Sequence, residues 1–154
     1  MNLFTRRCLI RSFTEQDASA LFEVLSCDKV MEYVEPPFSF EQTQNFIHDA
    51  GLCDPPLVYA LILRTTEALI GHIIFHEYDE DTYEIGWIIH ENYWGKGIAS
   101  EITSSLLAYA KSIGIKRCII ECDPNQAATI HIARKSGFIY DGEDDGCLRY
   151  RINI

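Results

Sequence analysis

The sequence predicts an α/β fold of the α+β kind, a single domain over residues 1–154 with a mixed, mostly antiparallel sheet and about four helices. Three observations carry that reading. Residues 57–63, 68–76 and 83–90 are short apolar runs separated by turn residues, the pattern of an antiparallel meander. The last of them leads through a short loop into a strongly patterned helix, and its apolar residues fall on both alternating faces, as in a strand covered on both sides. A further apolar run, 117–123, follows that helix, and a crossover of this kind makes it parallel to its sheet neighbour.

Composition narrows the function. With 154 residues, 47% of them apolar, the chain can build one sizeable core. It has no run of eighteen or more apolar residues, no signal-like segment and no low-complexity tract, so a cytoplasmic protein without a membrane partner is expected. The six cysteines form no C-x-x-C pair and lack a histidine cluster at zinc spacing, so they read as reduced thiols. His72 and His76 would share a face on a helix but lie far apart on the strand expected there, so no metal site is expected. A net charge of -10 argues against nucleic acid and suits a cationic acceptor. The acidic blocks at 79–81 and 143–145 are equally explained as solvated turns.

The elements follow in order. Residues 7–11 form a first strand, and Thr14 with Asp17 resembles a capping box that opens a helix to about Cys27, with Ala18, Leu21, Phe22 and Leu25 inward. Pro36 and Pro37 interrupt the chain, and Ser39 with Gln42 caps a second helix to about Ala50. The meander turns at 65–67. After its third strand, Ala99, Ile102, Leu106, Tyr109, Ala110 and Ile113 recur at helical spacing, with Gly114 as the stop. A last helix, 126–136, ends at Gly137 with Arg134 and Lys135 in its final turn, where cations suit the dipole. Residues 139–141 and 148–152 close the chain as a hairpin.

Chemistry concentrates in Trp94, Gly95, Lys96, Gly97, Ile98 and Ala99. Three of these six positions lack a bulky side chain, so a ligand can approach the backbone closely. The helix start behind them offers unpaired N–H groups and the positive end of the dipole, suited to a phosphate or pyrophosphate. A tight turn that binds nothing accounts for the glycines equally well. Neither G-x-x-x-x-G-K-[ST] nor a full G-x-G-x-x-G is present, so a different anionic cofactor is implied.

With these motifs the chain resembles a GNAT-superfamily N-acetyltransferase, of the branch that includes the ribosomal-protein N-terminal (RimJ/RimL-like) acetyltransferases. The family's cofactor loop reads Q/R-x-x-G-x-G/A. It is matched at Gly97 and Ala99, with Trp94 in place of Gln or Arg. The opening RCLIRSFTEQDASAL and the later ATIHIARKSGF extend the resemblance over nearly the whole chain. It implies a sheet splayed between 83–90 and 117–123 and acetyl-CoA as cosubstrate. Contacts would come from the backbone of Ile88, Ile89 and His90, from Trp94, Gly95, Lys96, Gly97, Ile98, Ala99 and Ser100, and from Asn125 or Gln126 with Thr129. It makes Tyr33, Glu35 and Phe38 candidate acceptor contacts and leaves monomer or homodimer open. The tyrosine that protonates the departing thiolate in many members falls at Ala133, which cannot do so.

Acetyl transfer to an amine needs a neutral amine, proximity and a donor for the oxyanion. Glu84 and Glu121, acids inside apolar strands, are the candidate bases; a paired or strand-edge carboxylate explains either equally well. By resemblance Glu84 matches the base of the histone-modifying members and Glu121 that of one ribosomal-protein group. Glu84 is preferred, because Gly86 on the same face leaves space beside it. The function expected is acetyl-CoA-dependent acetylation of a primary amine, on a protein N-terminus or a small cationic molecule. The alternatives are a non-catalytic acyl-CoA-binding sensor or interaction module, or transfer of a longer acyl group such as succinyl with His90 as the positive group.

Overall fold

Strand register sets the architecture. The computed structural model describes all 154 residues, Met1–Ile154. Its centre is the meander of β3 (Val58–Leu63), β4 (Ala68–Asp79) and β5 (Thr82–Ile89), paired antiparallel. On one side β3 pairs with β2 (Cys8–Arg11), and β2 with β1 (Leu3–Phe4). On the other side β5 meets β6 (Arg117–Cys122) in parallel, and β6 pairs with β8 (Cys147–Asn153), which pairs in turn with the edge strand β7 (Ile139–Asp144).

Two cores lie on the two faces of this eight-stranded sheet. Ile85 and Ile89 of β5 pack with Ile98, Ile102 and Leu106 of α4 (Ile98–Ser112) and with Ala133 of α5 (Ala127–Lys135). On the opposite face, Leu21 and Leu25 of α1 (Ala18–Leu25), Val30 of α2 (Asp28–Met31) and Ile47, just beyond α3 (Phe40–Phe46), pack over Ala60, Ile74 and Ile88. Period-2 alternation thus directs the odd residues of β5 to α4 and its even ones, including Glu84 and Gly86, to the α1–α3 face.

The expected splay is present. Parallel pairing joins only Thr82, Tyr83 and Glu84 to Arg117, Cys118 and Ile119. Beyond them β5 follows β4 up to Ile89 while β6 stays with β8 through Cys122, so the two central strands part.

Several boundaries differ from expectation. There are five helices rather than about four: the first ends at Leu25, and the four-residue α2 follows. α3 passes into one π turn, Ile47–Gly51. β1 has two residues, too short to leave a periodic signal. Of the second acidic block, Glu143 and Asp144 belong to β7; the turn is Asp145 (φ 46°) and Gly146 (φ 79°), both left-handed as a type I′ hairpin requires.

Candidate functional site

The gap between β5 and β6 opens into a cleft of about 580 Å³. Trp87, Ile88 and Ile89 of β5 form one side, with Trp94, Gly95, Gly97, Ile98, Ala99 and Ser100 at the mouth. Asn125, Gln126 and Thr129 border it from the start of α5, and Tyr33 from the α2 side.

The loop is held by backbone geometry and by side-chain bonds from Trp94 and Arg7. Gly95 (φ 71°) and Gly97 (φ 76°) adopt left-handed conformations that L side chains resist, and Gly97 is the N-cap of α4. None of the amide N–H groups from Gly95 to Gly97 donates within the protein, and those of Ile98, Ala99 and Ser100 precede the first intrahelical bonds. Six consecutive donors are therefore available at the positive end of a fifteen-residue helix. Trp94 Nε1 donates to the Ile89 carbonyl at 2.7 Å, latching the loop to the end of β5.

The backbone of residues 88–90 does not face the gap uniformly. His90 N–H donates to Ile70 O at 2.8 Å, and the Ile88 carbonyl is turned so closely toward β4 that a Cβ on Gly71 would collide with it. In an antiparallel pair such groups alternate, so it is Ile89 and Trp87 that turn their polar groups into the gap. The Ile89 carbonyl is taken by Trp94; its N–H is free. The His90 side chain is not among the residues lining the cleft; its Nδ1 accepts the Asn92 N–H in a short turn. Lys96 also lies outside: its ammonium sits 5.6 Å above the Tyr93 ring.

At the start of α5, Gln126 Oε1 accepts the Asp123 N–H at 2.8 Å and Asn125 Nδ2 donates to Asp123 Oδ1 at 2.9 Å. Both amides border the cleft, yet each is partly spent on this turn. Ala133 is fully buried in the core. Of the acceptor candidates only Tyr33 reaches the cleft; the charge of Glu32 beside it pushes its phenol up. Glu35 is exposed, and Phe38 packs edge-on against Phe46, which in turn lies 5.1 Å from the His72 ring.

Glu84 and Glu121 share the α1–α3 face of the sheet, at the point where it begins to splay. Glu84 sits in the closed part, opposite Ile119, and its carboxylate meets His76 Nε2 at 3.2 Å. Since His76 Nδ1 also faces an acceptor, the Glu77 carbonyl at 2.9 Å, the ring uses both nitrogens as donors when charged, and the bond to Glu84 holds its pKa up. Glu121 lies two residues further along β6, where pairing with β5 has ended. Burial raises its pKa, and the Glu84 charge adds to the rise. The space expected beside Gly86 is filled by Ile74, whose Cδ1 would stand 3.1 Å from an added Cβ.

Sequence reasoning missed Lys29, Val30 and Glu32, because a four-residue helix has no period to read, and also Trp87, Tyr93, Ala127 and His131. Only Trp87 left a signal, its place between Gly86 and Ile88 in the strand.

Fold and cleft together suit an acyltransferase, and comparison with known proteins gives the family. Residues 7–139 match the acetyltransferase (GNAT) domain model. The chain is 36% identical to the uncharacterized N-acetyltransferase YnaD of Bacillus subtilis, over 96% of this chain and 88% of that one. A GNAT-family acetyltransferase from Bacillus anthracis superposes with a TM-score of 0.90 at 31% identity, covering 99% of this chain and 98% of the other. RimL, described as the ribosomal L7/L12 alpha-N-protein acetyltransferase in complex with coenzyme A, shares the fold, with a TM-score of 0.85 at 20% identity over 100% of this chain and 98% of its own. The chain belongs to the GNAT acetyltransferase family and is an acyltransferase.

Proposed function

We propose that this protein transfers the acetyl group of acetyl-CoA to a primary amine by direct attack, with Glu121 as the general base. The observation that carries the reading is the row of six free amide N–H groups, Gly95 to Ser100, at the mouth of the splayed strands. A pyrophosphate satisfies those donors, and a pantetheine arm fills the gap beside Trp87 and Ile89 as an added strand would. The coenzyme A held by RimL supports this choice of cosubstrate.

The amine enters from the α1–α3 face. It attacks the thioester carbonyl while a carboxylate removes its proton; the Ile89 N–H is the donor available to the oxyanion. Collapse expels the thiolate, which recovers the proton, so one amide and one thiol result. Of the two acids, Glu84 is bonded to His76, whereas Glu121 stands where the strands have parted, and burial with the Glu84 charge raises its pKa, the direction a general base calls for. Position in the sequence favours Glu84; the local geometry favours Glu121. The acceptor is cationic in free solution, a protein N-terminus or a polyamine, in keeping with the net charge of -10 and with the protein substrate named for RimL.

Turnover of acetyl-CoA against peptides with free N-termini and a panel of small amines tests the reading. Coenzyme A binding without turnover would leave a sensor instead. Glu121→Gln should lower kcat by about 10²–10⁴-fold with coenzyme A affinity retained. The acid limb of the pH profile should lie above the ordinary carboxylate range, because a raised pKa keeps the base protonated to higher pH. A full loss in Glu84→Gln with Glu121→Gln active would transfer the role to Glu84.

A further inference from the structure

Glu101, in the first turn of α4, lies behind the loop with its side chain 15% exposed. An anion there opposes a bound phosphate, yet it is fully engaged from the N-terminal segment. Glu101 Oε1 accepts from Thr5 Oγ1 at 2.6 Å and from the Arg7 N–H at 2.8 Å, and Oε2 accepts from Arg7 Nε at 2.7 Å. Arg6 is exposed and reaches it only at 3.9 Å. Fixed this way, the Arg7 guanidinium donates through Nη1 to the Lys96 carbonyl at 2.7 Å, across 89 residues of sequence.

The Lys96–Gly97 peptide is planar and trans, so drawing the Lys96 carbonyl back toward Arg7 points the Gly97 N–H the opposite way, away from the loop's back. Arg7 does not border the cleft; it stands behind the glycine, with Nη2 3.6 Å from where a Gly97 Cβ would be. We propose that Arg7, locked by Glu101, is a positioning residue for the phosphate loop: it orients the Lys96–Gly97 peptide toward a pyrophosphate and neutralises the carboxylate behind it. This rests on the acetyl-CoA reading above. The planar fork is what the job requires, because lysine supplies the charge but cannot hold the carboxylate and the carbonyl in one geometry.

The experiment is Arg7→Lys, with coenzyme A affinity by calorimetry, acetyl-CoA kinetics and thermal unfolding. Coenzyme A Kd and acetyl-CoA KM should both rise about tenfold, the loss of one charge-assisted contact, with kcat at saturation within about twofold of wild type. A purely structural role predicts the reverse split: a smaller active fraction lowers apparent kcat and leaves KM alone. Thr5→Val, which removes one of the two donors to Glu101 Oε1, together with the acceptor of the Cys8 N–H, and leaves Arg7 in place, should raise KM in the same direction by less. Wild-type affinity in Arg7→Lys, or an unchanged KM in Thr5→Val should Arg7→Lys not fold, overturns the proposal while leaving the function standing. A wild-type protein that binds no coenzyme A overturns both.

Discussion

His72 is the clearest case of a residue whose behaviour follows from its surroundings. It is 5% exposed beneath Phe46, its Nδ1 has no partner, and burial pushes its pKa down to about 4. The unfolded chain takes up the proton near the ordinary value of 6.5, so stability is greatest above that pH and falls as pH drops toward 4. Between pH 7 and pH 5 this one group should remove about 2 kcal/mol. Urea unfolding at the two pH values should show His72→Phe losing that much less than wild type. His76, raised by Glu84, contributes with the opposite sign in both proteins and cancels in the comparison. Cys122 belongs to the same class of argument: burial pushes its thiol up to about 11, so it is a small apolar side chain at neutral pH and a poor nucleophile. Intact-mass measurement after incubation with acetyl-CoA should show no stable acetyl adduct that Cys122→Ala removes.

α3 and α4 begin in contrasting ways, and the contrast separates stability from binding. At the start of α3, Ser39 Oγ accepts the Gln42 N–H at 3.1 Å and Gln42 Oε1 accepts the Ser39 N–H at 2.7 Å, so the capping box read from the sequence is formed. Ser39→Ala should lower stability by about 1 kcal/mol, visible as a lower denaturation midpoint with coenzyme A affinity unchanged. α4 starts at a glycine, and the amides from Gly95 to Ser100 have no partner within the protein, which leaves them free for the anion proposed above. The strand-to-helix pattern and this loop were legible because they are local. The contacts around it were not: Trp94 meets Ile89, and Arg7 meets Lys96, through bonds no periodicity encodes.

For the molecule as a whole, the parted strands set where hydrogen exchange should respond to ligand. Coenzyme A should slow exchange at the amides of Ile89 and Gly95 to Ser100, and leave α3 unchanged; measured peptide by peptide, protection spread evenly over the chain would contradict a local site. The sequence by itself determined the fold class, the meander, the two long helices with their stops, and the glycine loop, since each depends on residues a few positions apart and on side-chain periodicity. Other features required distant segments to meet: that β8 rather than β7 flanks β6, that α2 closes one side of the cleft, and that Glu84 is spent on His76 while Glu121 stands at the parted strands. Alternation told which face a carboxylate occupies. Only tertiary pairing told which partner it finds there, because the energy of a buried charge is decided by neighbours the chain brings together from far apart.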